Sequence, residues 1–279
     1  GHERCRSGKD NTYRPGWNCS AGIEANPDQE VITAKPKGSS MKQLKDYTDD
    51  RHKGRCIHCG AILNSSETTK DHIPSKTLLD RPLPDNAHSV DVCFPCNNGF
   101  SEHEEYFAAF LSATIAGSTL PKDQPFEAGQ KALAANAKLR RLIDESSQKY
   151  VDEDGITRLT WHPDLERIRP VVVKNARGHA FFELGLPFYH EPAHVIMQPL
   201  ITAPEEWLSD FLTVDHGNGW PEVGSRLLQR LVSGDDMASG WIVVQLGTYV
   251  FAVFEDDDGV IVRSIIREYL LTEVRWDHS

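Results

Sequence analysis

Two cysteine knuckles constrain this chain more than anything else in it. Cys56-Ile57-His58-Cys59 and Cys93-Phe94-Pro95-Cys96 each put two thiolates on one tight turn. Two such pairs complete the tetrahedron that zinc takes, and four thiolates leave no position open for water, so the expected zinc is structural. A plain four-cysteine module spans roughly 15–20 residues between its knuckles. Here residues 60–92 lie between them, so the zinc loop carries an insert.

The insert contains Asp71-His72, followed by Pro74. A carboxylate can hold a hard cation such as Mg²⁺ or Mn²⁺, and a neutral imidazole can take a proton from water near neutral pH. Neighbours on a regular strand face opposite ways. The two can share one site only where a strand ends, and Pro74 supplies such an ending. Asn97 follows the last cysteine directly. Tied to the zinc through Cys96, its amide oxygen can complete a cation site with Asp71. Asn98 is the rival for that position.

This order of Cys-x-x-Cys, Asp-His and Cys-x-x-Cys-Asn resembles the HNH endonucleases of the ββα-metal fold. It is most similar to their zinc-bearing variant, the phage endonuclease VII type of junction resolvase. The resemblance covers residues 51–112. It implies that Asp71 and Asn97 bind the catalytic metal and that His72 activates the attacking water. It implies 5′-phosphate and 3′-hydroxyl products. The family's middle asparagine braces the loop around the general base, and Asn86 is its best match here, with His88 as competitor. Asn97 stands where most members have a final histidine. Glu102, His103, Glu104 and Glu105 are further candidates, although Ser101-Glu-His-Glu104 also reads as a helix capping box.

Composition sets the limits of this reading. The net charge of −11 argues against a nucleic-acid partner, but its distribution is uneven. Residues 201–279 hold five arginines, no lysine and fourteen acids, whereas 42–81 hold eight bases against six acids. Phosphate affinity follows the local charge. No stretch reaches the roughly 18 apolar residues of a membrane span, and the first residues lack the pattern of a secretory leader. With four of six cysteines in metal spacing, a cytoplasmic, reducing setting is expected. Cys5 and Cys19 receive no role.

Four segments follow from the texture of the chain. Residues 1–40 read as an irregular extension ending in Lys35-Pro-Lys-Gly-Ser-Ser40, and 41–117 as the zinc-bearing nuclease module, opened by a short helix over 41–53. Residues 118–154 read as a helical connector, with one helix over 127–145. Residues 155–279 read as an α+β unit: a short helix at 163–169, strands at 171–174 and 180–184, helices at 204–212 and 221–232, and strands at 241–245, 249–254 and 260–266. Asp256-Asp-Asp-Gly259 turns the last two strands into a hairpin. Arg177-Gly178-His179 reads as a surface turn with a lesser chance of touching phosphate. Asp215-His216 reads as a loop, and Pro192 excludes His190 and His194 as a helical metal pair.

The fold class expected is α+β, a zinc-pinned ββα-metal module followed by helices and a C-terminal α+β unit. The function expected is a metal-dependent endonuclease acting on nucleic acid, DNA first, with restriction or antiviral defence as the setting by analogy. The C-terminal unit would select a substrate, a protein partner or a second copy. The alternative is a zinc-dependent module that binds nucleic acid or protein without cutting.

Overall fold

The structure is a computed structural model that describes residues 53–64, 67–152, 155–214 and 221–278, with the backbone of Trp17–Asn18. The expected helix over 41–53 lies outside these residues except at Lys53, and Cys5, Cys19 and Asp215-His216 lie outside them altogether. Helices and antiparallel sheets are mixed along the chain.

Strand β1 (Trp17–Asn18) joins a small sheet described below. Strands β2 (Thr68–Ile73) and β3 (His88–Cys93) form an antiparallel pair in which Asp71 faces Val90 and His72 faces Ser89. Helix α1 (Phe94–Ala116) follows without a break. Cys93 caps it, and Pro95 stands in its first turn, where a missing N–H costs nothing and the fixed φ suits a helix. Gly117 ends it in the left-handed region at φ 65°. The helix thus starts seven residues before Ser101, so the capping box expected there does not exist. Phe107, Phe110 and Leu111 are buried, as their shared face requires.

The helix expected over 127–145 is two, α2 (Glu127–Ala135) and α3 (Ala137–Glu145). The Asn136 side chain accepts from Leu139 N–H and so begins a new helix where the old one would have run on. Strands β4 (Ser147–Val151) and β5 (Thr157–Trp161) form a hairpin, and β1 pairs on the outer side of β5.

Helix α4 (Leu165–Leu184) contradicts the two strands expected at 171–174 and 180–184. It runs through Pro170, forgoing one backbone bond. Val171-Val172-Val173 is β-branched, but the helix is enclosed: α1 and β2 lie on one side, the central sheet on the other. A helix buried all round carries no amphipathic period, and packing overrides propensity. The turn expected at Arg177-Gly178-His179 is therefore the middle of a buried helix, closed to phosphate. Arg177 donates to His190 O, and His179 stacks on Phe251 with ring centres 3.7 Å apart.

Strand β6 (His194–Pro199), helix α5 (Glu205–Leu212), helix α6 (Arg226–Ser233) and strands β7 (Met237–Ala238), β8 (Trp241–Gln245), β9 (Tyr249–Glu255), β10 (Gly259–Ile266) and β11 (Leu270–Asp277) complete the chain. The helix expected over 221–232 starts only at Arg226, where Ser225 caps it through Leu228 N–H. The six strands form one antiparallel sheet in the order β6-β11-β10-β9-β8-β7.

Both faces of this sheet are covered. Phe251, Val253, Val260 and Val262 pack toward α4 and α1, whereas Val250, Ala252, Ile261 and Ile265 pack with Phe211 of α5. Alternation along each strand divides the two sets. The first set belongs to one continuous core that includes Leu78, Phe107, Leu133, Ile168 and Trp276. The segments 41–117, 118–154 and 155–279 therefore share a core. One consequence is that α4 lies directly against β2.

Candidate metal centre and cleft

The first knuckle is a turn closed by Gly60 N–H on Cys56 O at 2.8 Å and by Cys56 N–H on Ala61 O at 2.8 Å. Gly60 takes φ 75°, a conformation that costs a side chain 1–2 kcal/mol or so. The second knuckle spans the end of β3 and the first turn of α1. Together they bring the Sγ atoms of Cys56, Cys59, Cys93 and Cys96 within 4.8 Å of one another. Cys59 and Cys93 are 3.8 Å apart at sulfur. A tetrahedron with Zn–S bonds of about 2.3 Å has edges of about 3.8 Å, so the spacing fits zinc. The four cysteines can hold such an ion.

Beside this cluster, β2 and the first turns of α1 enclose a cleft of about 250 Å³. Asp71, His72, Asn97, Asn98, Lys76 and Glu104 all line it. The strand neighbours Asp71 and His72 thus reach one cavity, with Asp71 at its inner end, 3 % exposed, and His72 half-buried. Asn97 donates through Nδ2 to Thr69 Oγ1 at 3.0 Å and to Lys70 O at 3.4 Å. Its nitrogen is committed to β2, which leaves the carbonyl oxygen as the end for a cation.

The carboxylate of Asp71 is held from behind. Oδ2 accepts from His58 Nε2 at 3.1 Å, and Oδ1 lies 2.7 Å from Lys174 Nζ. Burial pushes Asp71 upward, but the His58 hydrogen bond and the Lys174 charge outweigh it and hold the carboxyl below its ordinary range. Burial pushes His58 down, so this imidazole is neutral and donates to Asp71. Burial, then the Lys76 charge, also lowers His72, against the opposing pull of Asp71. At neutral pH His72 is a free base facing the cleft.

Lys174 also reaches Glu104, by a close ion pair, and Ser75 Oγ at 3.2 Å. Ser75 Oγ donates to Glu104 at 2.6 Å, and Ser75 N–H donates to Asn175 Oδ1 at 3.0 Å. Glu104 belongs to this network and caps no helix. Among Glu102, His103, Glu104 and Glu105 it is the one that lines the cleft.

Asn86 sits elsewhere. Its amide donates to Val243 O at 2.9 Å, tying the loop before β3 to the central sheet, and makes no bond to His72. His88 is also occupied, with Nδ1 2.9 Å from Asn86 O and its ring stacked 3.5 Å from Phe182. Neither side chain braces the candidate base.

Sequence reasoning missed His58, Ser75, Lys174 and Asn175. His58 was hidden among the knuckle's ligands. Lys174 carried a usable signal: a lone charge closing an apolar run, Val171-Val172-Val173, is paired if it is buried. No protein-family model, curated protein or solved structure matches this chain. Among the described residues, no helix is long and apolar enough to cross a membrane.

Proposed function

We propose that the chain is a metal-dependent endonuclease of the HNH type that hydrolyses phosphodiester bonds, with DNA as the first substrate to test. The observation that carries this reading is the convergence of Asp71, His72 and Asn97 on one cleft, built on two antiparallel strands and a helix beside four clustered cysteines.

The cysteines would hold zinc and so fix the strand-to-helix junction on which Asn97 stands. Asp71 and the Asn97 oxygen would hold Mg²⁺ or Mn²⁺, which supplies positive charge to the phosphate and to the leaving 3′ oxygen. His72 takes a proton from the water that attacks phosphorus. His58 and Lys174 keep the Asp71 carboxylate ionised and in one orientation. Lys76, exposed on the rim, faces an incoming phosphate.

Conversion of supercoiled plasmid to nicked circles across a series of divalent ions tests this reading. A second reading rests on one observation: both Asp71 oxygens already have partners. That arrangement suits a zinc-dependent module that binds nucleic acid or protein without cutting. Retention of DNA without nicking in any metal would favour it.

A further inference from the structure

We infer that Lys174 couples the catalytic cation to the nucleic acid, so that each binds strongly only with the other. The inference rests on the nuclease reading above and concerns a residue outside the ββα segment.

The Lys174 side chain is 1 % exposed, so it cannot touch a substrate. Its ammonium lies between two carboxylates that line the cleft, Asp71 and Glu104. It meets Asp71 at Oδ1 while His58 holds Oδ2. A carboxylate has about four lone-pair positions, so each oxygen keeps one beyond these two contacts, and Asp71 lines the cleft. A divalent ion reaching Asp71 therefore shares that carboxylate with a fixed positive charge.

The charges decide the consequence. Asp71 and Glu104 bring two negative charges, Lys174 offsets one and Lys76 on the rim another, while Lys70 is paired with Asp91, so little net negative charge is left to hold a divalent ion. Like charges on one buried carboxylate repel strongly because the surroundings screen them little. A phosphate diester entering the cleft restores the missing negative charge. The ion then binds more tightly, and by reciprocity the nucleic acid binds more tightly in the presence of the ion. Lys174 is in this sense a positioning residue: it acts through Asp71 and touches neither substrate nor water.

Calorimetric titration of Mn²⁺ into the zinc-loaded protein tests this, with and without a phosphorothioate-linked duplex oligonucleotide. Wild type should bind Mn²⁺ weakly alone and about tenfold or more tightly with the duplex. Lys174→Met should tighten Mn²⁺ binding to the free protein by a similar factor and leave the duplex with little further effect. An unchanged or weaker Mn²⁺ affinity in folded Lys174→Met overturns the inference and leaves the nuclease reading standing. Should Lys174→Met not fold, Glu104→Gln decides. It throws the whole ammonium charge onto Asp71, so Mn²⁺ binding should weaken in the free protein and recover with the duplex. Weakening in both states would make Glu104 a ligand and overturn the inference, as would no change in either. Failure of wild type to bind Mn²⁺ in either state would remove the nuclease reading itself.

Discussion

Lys174 Nζ lies 2.7 Å from Asp71 Oδ1, and each side chain is at least 96 % buried. One belongs to the ββα segment and the other to a helix that begins more than ninety residues later. The pair ties β2 to α4. Two charges leave water only when paired and further hydrogen-bonded, and here His58, Ser75 and Glu104 supply those bonds. The candidate site is therefore completed by a residue from outside residues 51–112.

The first prediction separates two residues that the sequence treats alike. Asn97→Ala loses its neutral hydrogen bonds to Thr69 and Lys70, about 1 kcal/mol for the stronger, and keeps the fold and the zinc. Its activity should fall most at limiting Mg²⁺. Asp71→Ala leaves Lys174 on Glu104 alone and takes the partner from buried His58, and should cost about 1–3 kcal/mol in addition to activity. Thermal melts beside nicking assays check it; an Asn97→Ala protein active at the wild-type rate in limiting Mg²⁺ would remove Asn97 as a ligand.

Zinc should be present at one ion per chain. Binding in small zinc peptides is worth on the order of 10–16 kcal/mol, so stripping it should unfold the junction of β3 and α1. Elemental analysis of protein purified without chelator should give one zinc. Cys96→Ser should lose the metal together with the amide protection of residues 93–97. A metal-free protein with that protection intact would refute a structural role.

Gly178 marks a close approach of α4 to β2. A Cβ built there would lie 2.4 Å from Ile73 Cδ1, and Ile73 is wholly buried. Gly178→Ala should gain about 1 kcal/mol of helix propensity yet lose about 1–3 kcal/mol to overpacking. The net effect expected is a lower melting temperature and lower activity, since Ile73 is next to His72. Ile73→Val removes the nearest methyl and should restore part of both. A Gly178→Ala protein as stable as wild type would show that the contact yields freely.

Acid should weaken the fold through His88. Burial, then the charges of Arg230 and Arg226, push its imidazole down to about 3. The unfolded chain takes up this proton near 6.5 and the folded chain does not. Stability is therefore full above about 6.5 and falls as the pH drops from there toward 3, by up to about 1.4 kcal/mol per pH unit. His88→Phe keeps a ring on Phe182 and should flatten the slope between pH 6.5 and 5, read from denaturant midpoints. A slope identical to wild type would mean that His88 is not held neutral.

What could be read from the sequence divides by range. The knuckles, Asp71-His72 and Asn97 lie within about forty residues, and local spacing alone places them around one cleft and one cysteine cluster. Strands β8, β9 and β10 were legible because β-branched runs end at clear turns. Helix α4 was not, because burial on every side erased the period that marks a helix, and its Val171–Val173 run favours strands. Asn86 was matched by its place in the chain, but its amide bonds Val243, a contact across 157 residues that spacing cannot show. The pairing of Lys174 with Asp71 was out of reach for the same reason, since tertiary packing alone brings the two together.

Plasmid nicking by wild type and His72→Ala, both zinc-loaded, in Mg²⁺ and Mn²⁺ tests the central claim most directly. A general base contributes about 10²–10⁴-fold. Wild type should nick in a metal-dependent way, and His72→Ala should lose at least the lower figure with no change in zinc content or melting temperature. Nicking by His72→Ala at the wild-type rate, or none by wild type in either ion, would contradict it.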